Sequence, residues 1–154
     1  WRKRFANTIE RASERKGVLL YMAEESADYR AMAEEWFQRA DEDLQLALLA
    51  SRQVGFAASI CFHAQQCVEK CLKGYLTYHD VEAARTHVLE DLVGQCAGVD
   101  SSFAEWRDVV APLSPYAVQS RYPGGPLPSM EDARQAVDAA RRVQARVLAR
   151  IRLR

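Results

Sequence analysis

The chain has 154 residues, 49% hydrophobic and 27% charged, which is the usage of a globular domain and excludes a disordered chain. Its 21 Lys and Arg balance 21 Asp and Glu. The whole chain therefore lacks the long-range positive field that drives nonspecific nucleic-acid binding. A chain of this length makes one domain and buries roughly 70% of its unfolded surface, so no disulfide or metal staple is required. No apolar run approaches the roughly 20 residues of a membrane span, and no membrane partner is expected. Cys61, Cys67, Cys71 and Cys96 form no Cys-x-x-Cys pair. Free thiols in a cytoplasmic protein are expected, not a disulfide scaffold.

Residues 1–16 read as a basic helix, with six Lys and Arg against Glu10 and Glu14. Gly17 stops it as a C′ glycine would, and Val18-Leu19-Leu20-Tyr21 has the length of a buried strand. The basic start has no apolar segment and cleavage site after it, so a signal peptide is not expected there. The chain begins with Trp1, which predicts an upstream segment. A long helix is predicted from Ser26 to Gln53, because Ala33, Trp36, Phe37, Ala40, Leu44, Ala47 and Leu48 recur at helical spacing. Gly55 separates it from a second, Phe56 to Tyr78, whose apolar face runs from Ala57 through Ile60, Ala64, Val68 and Leu72 to Tyr75. A short connection predicts antiparallel packing. Thr86 reads as the N-cap of a third helix through Cys96, and Ser102 to Glu105 as the capping box of a fourth ending near Pro112. All five prolines lie between Pro112 and Pro128, so Ser114–Pro128 is not expected to be regular helix. Ser129, with Asp132 at the third position, caps a final helix. The expected fold is all-α: an antiparallel up-and-down bundle of about five helices with an N-terminal helix and short-strand extension.

The second helix carries the most informative side chains. His63, Gln66, Lys70 and Lys73 are spaced 3, 4 and 3 apart and line one face beside the apolar stripe. Lysines and amides on one face can hold phosphate and base edges; the plainer reading is a solvated face with an ordinary Glu69–Lys73 pair. His63, Cys67 and Cys71 also share helical spacing, as a soft-metal stripe would. Both cysteines, however, fall in the apolar face, where thiols serve as small core residues. No metal and no cofactor is expected. Arg85-Thr86-His87 stands at a predicted helix start, where orphan N–H groups favour an anion. Histidine titrates near neutrality, so His87 can donate a proton or bind phosphate; otherwise it packs on a neighbouring helix from a capping turn. In the proline-rich loop, Arg121 can clamp phosphate and Tyr122 can stack on a base, or the loop simply turns the chain with Tyr122 as an apolar plug. The last helix carries seven Arg, which suit RNA or an acidic partner, or else form a solvated face in which Asp138 pairs with Arg142.

Four strings together resemble the HEPN family (higher eukaryotes and prokaryotes nucleotide-binding domains). They are Trp36-Phe37 with Ala40-Asp41-x-Asp43-Leu44, the run from His63 through Gln65-Gln66, Glu69-Lys70 and Lys73, Thr86-His87-x-Leu89, and Ser120-Arg121-Tyr122-Pro123. The resemblance spans about Ala33 to Ile151. It implies an up-and-down bundle that dimerises, binds nucleotide such as ATP or GTP, and works with a minimal nucleotidyltransferase in cis or in trans. Residues 1–25 look like the closing segment of such a nucleotidyltransferase, or else form a helical extension that packs on the bundle, with residues 26–154 as the HEPN domain. HEPN ribonucleases carry an Arg followed four to six residues later by a His. Here the Arg preceding His63, His79 and His87 stand 11, 27 and 2 residues upstream, so that pair is missing from the sequence. The reading is therefore a noncatalytic module whose nucleotide or phosphate pocket is built by Gln66, Lys70, Lys73, His87, Arg121 and Tyr122. The alternatives are a divergent metal-independent ribonuclease, the toxin of a toxin–antitoxin pair, using His87 and Arg121, or a purely structural dimerisation domain.

Overall fold

The two apolar stripes become a helical hairpin. In a computed structural model that describes residues 27–119 and 124–152, α1 covers 27–50 and α2 covers Ala57–Tyr78. The chain continues through α3 (Leu89–Val99), a 3-10 turn (Ser101–Trp106), α4 (Arg107–Val110), a second 3-10 turn (Ala111–Leu113), α5 (Tyr116–Gln119) and α6 (Met130–Arg152). Every regular element among the described residues is helical, so the all-α expectation holds. The expected N-terminal extension and the Arg121–Tyr122 pair lie outside the described residues.

α2 is the central rod. Its Ile60, Cys61, Ala64, Cys67, Val68, Leu72, Tyr75 and Leu76 are fully buried. α1 runs antiparallel to it, as the short connection predicts: Asp43 of α1 meets His63 and Lys70, while Trp36 lies beside Lys73 and Gly74. α6 lies along α2 in the same direction, and Tyr78 Oη approaches the Ile151 carbonyl at 3.5 Å where the two rods end. Leu89, Leu92, Val93 and Cys96 of α3 close another side, and Phe103 stacks on Tyr75 at 4.5 Å.

The caps show where local signals decide and where tertiary contacts override them. Ser129 and Asp132 form the predicted capping box: the Ser129 N–H donates to the Asp132 carboxylate at 2.7 Å, and the Asp132 N–H donates to Ser129 Oγ at 3.1 Å. The first helix stops at residue 50, short of Gln53, because Arg52 and Gln53 tighten into i→i−3 bonds ahead of Gly55, whose φ is +98°. The third helix begins at Leu89, not at Thr86. Thr86 Oγ1 accepts from Val88 N–H at 3.0 Å, and the Leu89 N–H is satisfied by Ser114 Oγ at 2.9 Å, a hydroxyl brought in from 25 residues away. Asp100, not Ser102, caps the following segment, accepting from the Ser102 N–H at 3.0 Å and Oγ at 2.7 Å. Within the proline-rich stretch, one helical turn forms at Tyr116–Gln119 directly after Pro115.

Two glycines test this packing in opposite directions. A Cβ on Gly74 would stand 2.6 Å from Phe37 Cε1 and 3.0 Å from Trp36 Cβ, so this glycine sets how closely α1 approaches α2. Gly74→Ala gains about 1 kcal/mol of helix propensity and loses about 1–3 kcal/mol to overpacking. A net loss of about 1 kcal/mol in urea unfolding is expected. Gly94 of α3 has open space around the same position, so Gly94→Ala is expected to gain about 0.5–1 kcal/mol.

Candidate functional site

Two carboxylates are buried in the hairpin, and each organises a cluster. Asp43 sits on the inward register of α1 between Ala40, Leu44 and Ala47 and is 7% exposed. A buried carboxylate without partners costs several kcal/mol. Asp43 is met by His63 Nδ1 at 2.8 Å on one oxygen and by the Lys70 ammonium on the other. Glu69, on α2, is 5% exposed. It accepts from Lys73 Nζ at 2.8 Å and from Gln65 Nε2 at 3.0 Å. His87 Nδ1, from the segment before α3, lies 3.2 and 3.0 Å from its two oxygens. Gln65, fully buried, accepts in turn from Gln66 Nε2 at 2.8 Å. Burial pushes the Glu69 carboxyl up, but the hydrogen bonds from Lys73, Gln65 and His87, with the Lys73 charge, outweigh it and hold Glu69 below the usual carboxylate range.

The face read as either a ligand surface or a solvated one is therefore the polar seam between α1 and the α3 side of α2. Lys73 and His87 come together on Glu69. Gln66 joins them through Gln65, whereas Lys70 turns away to Asp43 on α1. The Glu69–Lys73 pair exists as the sequence suggests, but it is largely buried and not a surface pair. Asp43 and Gln65 entered the sequence reading only as motif letters, with no site role. The signal for both was a polar residue in a buried register: Asp43 within the Ala40–Leu44–Ala47 stripe, and Gln65 beside Val68 and one turn before Glu69. His63, Cys67 and Cys71 do not converge: the imidazole pairs with Asp43 while both thiols enter the core. Burial pushes the Cys61 thiol up to about 11 and Cys96 to about 12. Cys71 is raised by its hydrogen bond with Cys67 and by burial. On α6, Arg134, Arg142, Arg146 and Arg150 pair with Glu131, Asp138, Glu105 and Asp100. Much of that basic run is thus neutralised within the chain.

Lys73 also borders open space. Its ammonium lies 6.0 Å from the centroid of the Trp36 ring, and the residue lines a groove of about 480 Å³ with Tyr29, Trp36, Asp80, Glu82 and Arg85. A larger groove of about 790 Å³ between α1 and α6 carries, among the described residues, Glu34, Asp41 and Glu42 against Arg30. Its charge has the wrong sign for phosphate.

The Glu69 cluster makes stability depend on acid. A carboxyl lowered in the fold contributes stability above its unfolded value of about 4.3, and that contribution is lost as pH falls through the lower folded value. Glu69→Gln is therefore expected to cost about 3–5 kcal/mol at pH 7, because it leaves Lys73 without its counter-charge. Denaturant unfolding from pH 7 to pH 3 should show the gap between wild type and variant narrowing as acid is added.

The sequence model of the HEPN domain matches residues 33–150. Comparison with curated proteins found no match. Among solved structures the chain is similar to the crystal structure of ST0689, an archaeal HEPN homologue, with 28% identity and a TM-score of 0.64 over 77% of this chain and 97% of that one. It is also similar to TT1696 from Thermus thermophilus, with 27% identity and a TM-score of 0.60 over 76% of this chain and 96% of that one. With its helical fold and a family match over most of its length, the chain belongs to the HEPN family.

Proposed function

We propose that this HEPN domain is a noncatalytic nucleotide- or phosphate-binding module that dimerises and works with a minimal nucleotidyltransferase. The observation that carries the proposal is the meeting of Lys73 and His87, from separate segments, at Glu69 beside a groove that Lys73 and Arg85 both line. Glu69 neutralises Lys73, so this site binds through placed donors and not through a strong positive field. That agrees with the zero net charge of the whole chain. His87 has an exposed side chain whose Nδ1 is taken by Glu69, which leaves Nε2 for a ligand. Lys70 takes a supporting part, holding the hairpin through Asp43, and Arg121 and Tyr122 are proposed to neutralise phosphate and to stack on a base. The dimer and the nucleotidyltransferase rest on membership of the family and on the likeness of residues 1–25 to a nucleotidyltransferase end.

One observation favours a second reading, a metal-independent ribonuclease. A buried carboxylate orienting an exposed imidazole, as Glu69 orients His87, is the arrangement a general acid–base needs. Cleavage of structured RNA by wild type but not by His87→Ala supports this reading; equal background from both excludes it.

Calorimetry separates the readings. ATP or GTP is expected to bind wild type in the micromolar to millimolar range, and His87→Ala to weaken that binding by about tenfold, or about 1.4 kcal/mol. Light scattering is expected to give the mass of two chains for both proteins. No binding of either nucleotide at millimolar concentration contradicts the proposal.

A further inference from the structure

The chemistry of the groove beside Lys73 names its ligand more narrowly, on the footing that the domain binds nucleotides. Three features line it together. Trp36 and Tyr29 supply an aromatic wall on which a base can lie. Arg85, exposed and with no ion pair among the described residues, supplies a fork for phosphate, with Lys73 lining the same groove. Asp80 and Glu82 bring two carboxylates, which repel phosphate and do nothing for a base stacked on a ring. Carboxylates in such a groove suit hydroxyl donors, and the vicinal 2′,3′-hydroxyls of ribose are the part of a nucleotide that offers them.

The carboxylate wall is built and held. Asp80 follows α2 with a φ of +55°, the left-handed position that glycine adopts at no steric cost. The turn is closed by the Val81 N–H donating to the Leu76 carbonyl at 2.9 Å and the Asp80 N–H to the Thr77 carbonyl at 3.0 Å. Gln95 of α3 then clamps the extended segment from behind. Its Oε1 accepts from the Ala84 N–H at 2.9 Å, and its Nε2 donates to the Glu82 carbonyl at 3.3 Å. The segment that carries Asp80, Glu82 and Arg85 is thus tied to α2 at one end and to α3 in its middle, so little ordering is left for a ligand to impose.

We infer that this groove is a ribonucleotide site, in which the base lies along Trp36 and Tyr29, Arg85 takes the phosphate, and Asp80 and Glu82 accept from the ribose hydroxyls. The groove's volume of about 480 Å³ falls within the range of small-ligand sites.

Calorimetry in EDTA with AMP, 2′-deoxy-AMP and adenosine tests the assignment on the whole chain. Wild type is expected to bind AMP about tenfold tighter than 2′-deoxy-AMP. Arg85→Ala should lose about tenfold for AMP and little for adenosine. The double variant Asp80→Asn, Glu82→Gln keeps a residue tolerant of the left-handed turn. It should bind AMP more weakly but 2′-deoxy-AMP no more weakly than wild type, so the preference collapses. AMP binding that is the same in wild type and all variants moves the site elsewhere and overturns this inference while leaving the nucleotide reading intact. Equal binding of the two nucleotides by wild type overturns the ribose assignment. Loss of AMP binding in EDTA, recovered with Mg²⁺, puts the carboxylates on a metal and overturns it too. If AMP, ATP and GTP all fail to bind with or without Mg²⁺, the nucleotide reading falls with it.

Discussion

Two buried carboxylates must be neutralised where α1 and α3 meet the central helix, and much of the molecule follows from how this is done. Asp43 draws Lys70 and His63 towards α1; Glu69 draws Lys73, Gln65 and His87 towards the segment before α3. Stripping one partner from such a buried pair costs about 3–5 kcal/mol, more than a typical surface pair contributes. The two clusters therefore fix the rotation of α2 about its own axis between its neighbours. The apolar face of α2 sets burial, and its polar edge sets register. Gly74 lets the rods approach closely enough for Lys73 to lie over Trp36.

The same neutralisation decides what kind of binding surface the domain offers. Lys70 and Lys73 lie three residues apart on one helix, and without partners they would make a positive stripe. Tied to separate carboxylates, they become fixed donors at the edges of the seam. Recognition then depends on the geometry of a few groups, with Arg85 as a charge that no acidic partner among the described residues satisfies. Size alone would favour the groove between α1 and α6, but its three carboxylates against one guanidinium among the described residues argue against an anion there. The smaller groove mixes aromatic, cationic and anionic groups, as a composite ligand such as a nucleotide requires.

Helical periodicity made the three long rods legible, because burial of an amphipathic face is written in local spacing. The α6 cap was legible for the same reason: Ser129 and Asp132 satisfy each other across one turn. The start of α3 was not, since its first N–H is satisfied by Ser114, far along the chain. Lys73 and His87 could be picked out by residue type and spacing, and the fold does bring them to one carboxylate. Their divergence from Lys70 could not, because it depends on which acidic residue each lysine finds across a helix interface. Asp43 stood in the sequence as a motif letter within the buried Ala40–Leu44–Ala47 stripe. Its pairing with Lys70 and His63 follows from the packing of α1 on α2, which a one-chain pattern does not contain. The segment bearing Asp80 and Glu82 carries no motif or periodicity, and only the turn geometry and the Gln95 clamp show it to be a wall.

The account places ligand recognition on the Lys73 side of α2. The most direct test is a ¹⁵N–¹H correlation spectrum of the labelled protein titrated with AMP, following side-chain signals from each groove. The Trp36 indole N–H, the Arg85 guanidinium and the Gln95 amide should shift, while the Gln144 amide in the groove between α1 and α6 stays still. Shifts centred on Gln144 with Trp36 and Gln95 unmoved would contradict the account.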